Sequence, residues 1–176
     1  MLKRKWLSIA VIIVALIVVN ISIYQKQHLL AKGDIIILEL APVDPRSLMQ
    51  GDYMALSYAL VAPFNEQFYA EQEKCREEPS LPCPESKRRL IVELDDRQRA
   101  TAARIDQGEP LADNQHYLQY RFKGRSIQIG TDAYFFQEGH AEDYVNARYG
   151  EFRVAKDGSA LLTHLLDADL QRIENK

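Results

Sequence analysis

Four histidines, two cysteines and a local crowd of carboxylates are the groups in this chain that could do chemistry, and their spacing limits what they can do. His28, His116, His140 and His164 are scattered, with no i, i+4 pair and no His-Glu-x-x-His run. Nothing along the chain therefore gathers ligands for a metal, and neither a metal nor a cofactor is expected. Glu138, Glu142 and Asp143 surround Gly139-His140. Paired acids can do acid–base work, but acids at the start of a short helix also serve its dipole, and that structural role is the expectation here. No phosphate-cradling glycine loop, dinucleotide fingerprint or Gly-x-Ser-x-Gly elbow occurs. Cys75 and Cys83 stand eight residues apart in Cys-Arg-Glu-Glu-Pro-Ser-Leu-Pro-Cys. In an oxidising compartment such a pair is a disulfide candidate, and closing a ring of about nine residues would contribute about 2.5 kcal/mol in the chain-entropy picture.

The most strongly patterned stretch is Gly51-Asp52-Tyr53-Met54-Ala55-Leu56-Ser57-Tyr58, approached by Asp44-Pro45-Arg46-Ser47-Leu48-Met49-Gln50. Gly51 can adopt positive φ and Asp52 can bond the local backbone, so a tight turn feeding a strand is predicted. Side chains then alternate, with Tyr53 on one face and Met54, Leu56, Tyr58 and Leu60 on the other. Gly51, Leu56 and Tyr58 are expected to shape the turn and fill the core. Arg46, Asp52 and Tyr53 are the candidates for a surface binding groove, since a rigid tyrosine ring buries much area at low entropic cost.

This spelling resembles the bacterial GDYXXLXY proteins, and all five specified positions match: Gly51, Asp52, Tyr53, Leu56 and Tyr58. The surrounding order is similar too, with Asp44-Pro45-Arg46 before the motif. The aromatic run Tyr134-Phe135-Phe136-Gln137 leading to Glu138-Gly139 comes after it. The resemblance implies a membrane-anchored or membrane-associated protein and a shared fold, accompanied in some members by multi-spanning membrane partners. It supplies no reaction, cofactor or catalytic residue. A second, distant resemblance is to type I signal peptidases, in which a serine nucleophile works with a lysine whose pKa is lowered by burial. In that family Met directly follows the serine. Here Leu48 separates Ser47 from Met49, and Lys87, the candidate base, adjoins Arg88 and Arg89. Ser47 with Lys87 stands as the alternative, hydrolase reading.

These groups have to be positioned by a chain of 176 residues, enough for one domain and an appendage. Residues 1–32 form the appendage. Lys3, Arg4 and Lys5 precede a run from Trp6 to Tyr24 whose only polar members are Ser8, Asn20 and Ser22. About 20 apolar residues cross a bilayer, aromatic residues favour its two interfaces, and the basic cluster should stay in the cytoplasm. A cleaved signal peptide fits less well, because its apolar core would be shorter and His28-Leu29-Leu30-Ala31 lacks a small residue at −3. Residues 33–176 then form a periplasmic or extracellular domain tethered to a bacterial inner membrane.

Within that domain, strands are predicted at 35–40, from Tyr53, at 88–94, 99–105, 117–122, 126–129, 151–154 and 160–162, and residues 133–136 are an apolar, aromatic run. The first two are expected to be central. Helices are predicted at 63–73 and, briefly, at 139–147. A loop over 74–86 carries both cysteines. Alanines 100, 102 and 103 leave a helix open for the fourth strand. Asp157-Gly158 marks the clearest hairpin, since Asp-Gly supplies the positive φ of a tight turn. The fold class expected is mainly β, a β-rich α+β domain of about eight antiparallel strands with minor helices.

Of 22 Lys and Arg, three lie before the apolar run, so the exported part holds 19 against 25 acidic residues, a net charge near −6. That excludes the cationic footprint of a nucleic-acid binder. The reading best supported is a non-enzymatic binding or assembly module that docks on an envelope or membrane partner. Small-ligand sensing is a second alternative to the hydrolase.

Overall fold

The computed structural model describes residues 2–41, 53–77, 87–123, 126–131 and 133–173. It opens with α1 (Leu2–Lys32), whose apolar side chains from Ile9 to Tyr24 are exposed on every side. Ser8–Lys32 within it is long and apolar enough to cross a membrane. The polar groups inside the run bond to their own helix: Asn20 Nδ2 donates to the Leu16 carbonyl at 2.8 Å, and Ser22 Oγ to that of Val18 at 2.9 Å. Back-bonding of this kind removes most of the cost of placing them among apolar side chains.

A single residue joins α1 to β1 (Asp34–Glu39). The Gly33 N–H donates to the Leu29 carbonyl at 2.8 Å, Arg153 Nη1 donates to the Gly33 carbonyl at 3.0 Å, and Leu29 is buried. A Cβ on Gly33 would stand 2.6 Å from the Leu29 oxygen and 3.2 Å from the Val154 nitrogen. Only glycine fits where the helix end meets the sheet. Helix α1 and the first strand thus follow one another with no loop between them.

The described residues form nine strands, antiparallel in every strand pair, in three sheets. β8 (Tyr149–Val154) lies between β1 and β9 (Ala160–Leu166). A four-stranded sheet has the order β4 (Ala100–Ile105), β3 (Lys87–Leu94), β5 (Gln115–Lys123), β6 (Ser126–Ile129). The third is a two-stranded ribbon of β2 (Tyr53–Ala55) and β7 (Ala133–Phe135). Ile36, Leu38, Phe152 and Val154 of the first sheet and Leu90, Val92, Leu118, Tyr120, Ile127 and Ile129 of the second share one core. The architecture is β-rich α+β, as composition and spacing predict.

α2 (Ala62–Glu77) lies along β6. Asn65 Oδ1 accepts the Ile127 N–H at 2.8 Å, and Phe68 packs its ring 5.4 Å from Tyr120 and 5.9 Å from Phe122. The helix therefore covers an edge strand that would otherwise display open hydrogen-bonding groups. It runs four residues past the predicted end. Side-chain pairs Gln67–Glu71 and Tyr69–Glu73 at i, i+4 extend it, Lys74 and Arg76 suit its negative end, and Cys75 adds a buried group to the Phe64–Phe68 side. Cys75 is thus on a helix and not in a loop, while Cys83 lies outside the described residues.

Residues 100–105 form the strand predicted there, pairing with β3 from Leu90 to Leu94, so the helix that their alanines left open does not form. Two further expectations are corrected. The 35–40 and motif strands are not central. β1 sits at the edge of its sheet, and β2 is three residues long and pairs only with β7. They meet where Leu40 bridges Tyr58 and the Ala41 N–H donates to the Ser57 carbonyl at 2.8 Å. The central places go to β8, β3 and β5, which carry apolar side chains into the core from both sheets. The short helix predicted at 139–147 is a 3-10 turn, Ala141–Tyr144. The Asp157-Gly158 hairpin forms as predicted, with Gly158 at φ 89°; a Cβ there would lie 3.0–3.1 Å from the backbone of residues 117–119.

The last motif tyrosine is the clearest case of a motif residue used for packing. Tyr58 is 1 % exposed, packs edge-on to Phe152 at 5.6 Å, and its hydroxyl has no partner among the described residues. Burial pushes its pKa well above the usual tyrosine range. An unpartnered buried hydroxyl costs about 1–3 kcal/mol, whereas the ring itself fills volume worth about 3–5 kcal/mol. Tyr58→Phe is therefore expected to raise the melting temperature or leave it unchanged, and Tyr58→Ala to lower it strongly. A marked loss of stability in Tyr58→Phe would show that the hydroxyl is bonded and the packing account is wrong.

Candidate functional site

Two segments that lie about eighty residues apart in sequence form the β2–β7 ribbon, with Tyr53 opposite Phe135, Met54 opposite Tyr134 and Ala55 opposite Ala133. Side chains opposite one another share a face. On one face, Tyr134 and Phe136 pack against Tyr144, with ring centroids 5.3 and 4.9 Å apart, and Tyr144 is buried. Burial, first, and then the neighbouring Tyr134 hydroxyl push the Tyr144 pKa up to about 12. On the other face, Tyr53 and Phe135 are in ring contact at 5.8 Å, and Phe135 is 71 % exposed. A rigid aromatic layer on one side thus supports an open aromatic pair on the other. Glu138, Glu142 and Asp143 follow this strand on the surface, with Asp143 Oδ2 2.8 Å from His140 Nδ1.

A second concave feature lies where the sheets approach each other. A cleft of about 370 Å³ is lined by Glu39, Ala59, Leu60, Arg99, Ala100, Thr101 and Tyr149. It is built by the β3–β4 turn, which reaches β1: the Ile37 N–H donates to the Gln98 carbonyl at 2.8 Å, and Ile37 bridges Arg99 in parallel. Asp95 holds that turn. Its Oδ1 accepts the N–H groups of Arg97 and Arg99 at 2.9 Å each, and its Oδ2 accepts Nε and Nη2 of Arg99 at 2.8 Å. The Arg99 backbone N–H, then the surrounding donors, hold the Asp95 carboxyl below the usual carboxylate range despite the opposing effect of burial. Arg99 is bonded to Asp95 and to the Tyr149 hydroxyl, and both keep it charged. Gln98 sits at φ 63°, a left-handed conformation that costs a non-glycine residue about 1 kcal/mol or more.

The third cluster is a clasp. Glu151, in the middle of β8, is 6 % exposed. Its Oε1 accepts Arg172 Nη2 at 2.9 Å and the Thr163 hydroxyl at 3.2 Å, Arg172 Nε lies 3.3 Å from Oε2, and His164 Nδ1 is 3.4 Å from Oε1. Burial alone would raise the Glu151 pKa. The Arg172 bonds and charge, with His164 and Thr163, outweigh it and lower the pKa. The cluster ties the segment after β9 back onto the sheet, where Arg172 also bridges Leu166.

Of the residues singled out in the sequence, Tyr53 lies on the open ribbon face, Leu56 packs against the core and Tyr58 is inside it. Arg46, Ser47, Gly51 and Asp52 lie outside the described residues, and with them the turn predicted before Tyr53 and the Ser47–Lys87 pairing. Lys87 opens β3. Glu138 is exposed, and Gly139 beside it has φ 87°. Among the described residues no three metal-binding side chains come together. Glu39, Arg99, Tyr149 and Glu151 were not singled out in the sequence. The strand pattern gives each the look of an ordinary surface position.

The chain matches the GDYXXLXY protein family over residues 15–165 and belongs to it. No curated protein and no solved structure matches. Within that span, the ribbon joins Tyr53, Met54 and Ala55 of the motif to Ala133, Tyr134 and Phe135.

The clasp has a definite pH dependence. With its pKa lowered in the fold, Glu151 contributes stability that is fully present above the ordinary glutamate value of about 4.3 and is lost as pH falls through the folded value. Arg172→Ala leaves the buried carboxylate without its guanidinium, at a cost of about 1–3 kcal/mol near pH 7. In thermal melts the gap between wild type and variant is expected to narrow as pH falls, beginning above the ordinary glutamate range, where burial without Arg172 makes the variant's Glu151 neutral, and continuing down to the lowered wild-type value. A gap that stays constant from pH 7 to pH 3.5 would refute the clasp.

Proposed function

We propose that this protein is a membrane-anchored docking module. α1 crosses a bacterial inner membrane with Lys3, Arg4 and Lys5 in the cytoplasm, and the β domain stands in the periplasm. The open face of the β2–β7 ribbon binds an envelope or membrane protein. The observation that carries this reading is Phe135, strongly exposed on a three-residue strand while its neighbours Tyr134 and Phe136 are pinned beneath it. Rigid exposed aromatics of this kind act as interface anchors. Arg46 and Asp52, close to Tyr53 in sequence, would supply polar contacts at the rim. The acidic residues after β7 suit a partner whose contact surface is apolar with basic residues around it. Tethering to the membrane supports the same reading, because it confines module and partner to one surface and raises their effective concentration.

In that compartment Cys75 and Cys83 would form a disulfide, closing the segment that follows α2. Alkylation of unfolded protein is expected to label both cysteines only after reduction. Labelling without reductant would remove the disulfide from the account.

In-cell crosslinking followed by co-purification tests the docking surface. Wild type is expected to capture a discrete membrane protein, and Tyr53→Ala, Asp52→Ala and Phe135→Ala to lose at least about tenfold of it. Phe135→Ala removes an exposed side chain and should melt within a few degrees of wild type. Retention of the partner by folded Tyr53→Ala and Phe135→Ala would overturn the proposal.

A further inference from the structure

We propose that the cleft beside β1 is a binding site for a small zwitterion of the free amino acid type, a primary ammonium and a carboxylate on one short backbone. The proposal does not depend on the docking reading, since neither Tyr53 nor Phe135 lines the cleft. Its volume of about 370 Å³ is in the range of sites for small molecules, at the lower end of about 300–1,000 Å³. The lining pairs one carboxylate, Glu39, with one guanidinium, Arg99, and adds the hydroxyls of Tyr149 and Thr101 and the apolar wall of Leu60.

The charges are held in distinct places. Glu39 ends β1 opposite Tyr149, and Arg99 stands on the other side of β1, where Ile37 bridges it. Asp95 does not compete for a ligand. Its two oxygens already accept two backbone N–H groups and two N–H groups of Arg99, so its charge is spent on its own turn. It takes the Nε–Nη2 edge of the guanidinium, and the Tyr149 hydroxyl is bonded to the same group, so a ligand carboxylate would share Arg99 with both, on the donors of the planar fork that Asp95 does not take. A lone anion in the cleft would meet Glu39 and a lone cation would meet Arg99. A ligand carrying both charges pairs each, and that mutual exclusion is the basis of selectivity.

Gln98, immediately before Arg99, has φ 63° and closes the β3–β4 turn, its N–H donating to the Asp95 carbonyl at 2.9 Å and its carbonyl accepting the Ile37 N–H at 2.8 Å. β1 also runs from the Gly33 joint to Glu39 in six residues, about 20 Å of extended chain. The proposed site is therefore at the far end of the strand that begins at the anchor.

The test is ligand-observed saturation-transfer NMR on the full chain in nanodiscs. Free L-amino acids are presented one at a time, with acetate and methylammonium as half-ligands. At least one amino acid is expected to bind wild type, with each half-ligand binding at least tenfold more weakly. Glu39→Gln changes an exposed residue and should fold normally; it and Arg99→Lys, which keeps the charge but loses the fork, are each expected to weaken binding at least tenfold. Phe135→Ala should bind like wild type, which separates this site from the docking face. The proposal is overturned if no amino acid shows transfer, if Glu39→Gln binds as well as wild type, or if Phe135→Ala also abolishes binding.

Discussion

Strand β1 is held at both ends, and the rest of the structure depends on that constraint. At its start, Gly33 allows helix and sheet to touch, with Leu29 buried and the Arg153 guanidinium on the Gly33 carbonyl. Along its length, Ile36 and Leu38 enter the core beside Phe152, while the Ile37 N–H bonds to the β3–β4 turn. At its end, Leu40 bridges Tyr58. An edge strand with unsatisfied groups would be a liability. Here one edge pairs with β8, and the other is partly covered by the turn of the second sheet. Those contacts make two sheets and a helix into one body.

The stabilising polar groups repeat one tactic. In three places a charged or polar side chain closes a segment onto a neighbour. Asp95 fixes the turn that reaches β1, Asn65 fixes α2 on the edge of β6, and Glu151 fixes the segment after β9 through Arg172. Hydrogen bonds to a charged group are worth more than neutral ones, and the cost of breaking them is larger still when the charge is left buried. Such contacts specify where each segment docks, while the apolar core supplies most of the driving force.

Within the family's signature, the division of labour follows the alternation of a strand. Tyr58 and Leu56 are used up in packing, and a tyrosine whose buried hydroxyl finds no described partner is present for its ring. Tyr53, one strand position away from that role, turns outward and meets Phe135. Pairing with β7 is what makes the outward face aromatic. The motif alone would show a single half-exposed ring.

Much of the local structure was legible in the residues. The run from Trp6 to Tyr24 could only be a long apolar helix, Asp157-Gly158 could only be a tight turn, and alternation in residues 88–94 and 117–122 marked strands, because each signal depends on neighbours within one turn or one pleat. The fold class followed from the spacing of those strands. What the tertiary structure alone decided is everything that depends on partners distant in sequence. It put β1 at an edge and β8 in the centre, decided between the strand expected at 99–105 and the helix its alanines left open, and brought Glu39 and Arg99 to one cleft. It also buried Glu151, a residue whose place in the strand pattern marks it as exposed, because Arg172 returns to pair with it. Period and turn chemistry act over a few residues; the match between a carboxylate and a guanidinium twenty or sixty residues away is set only when the sheets close.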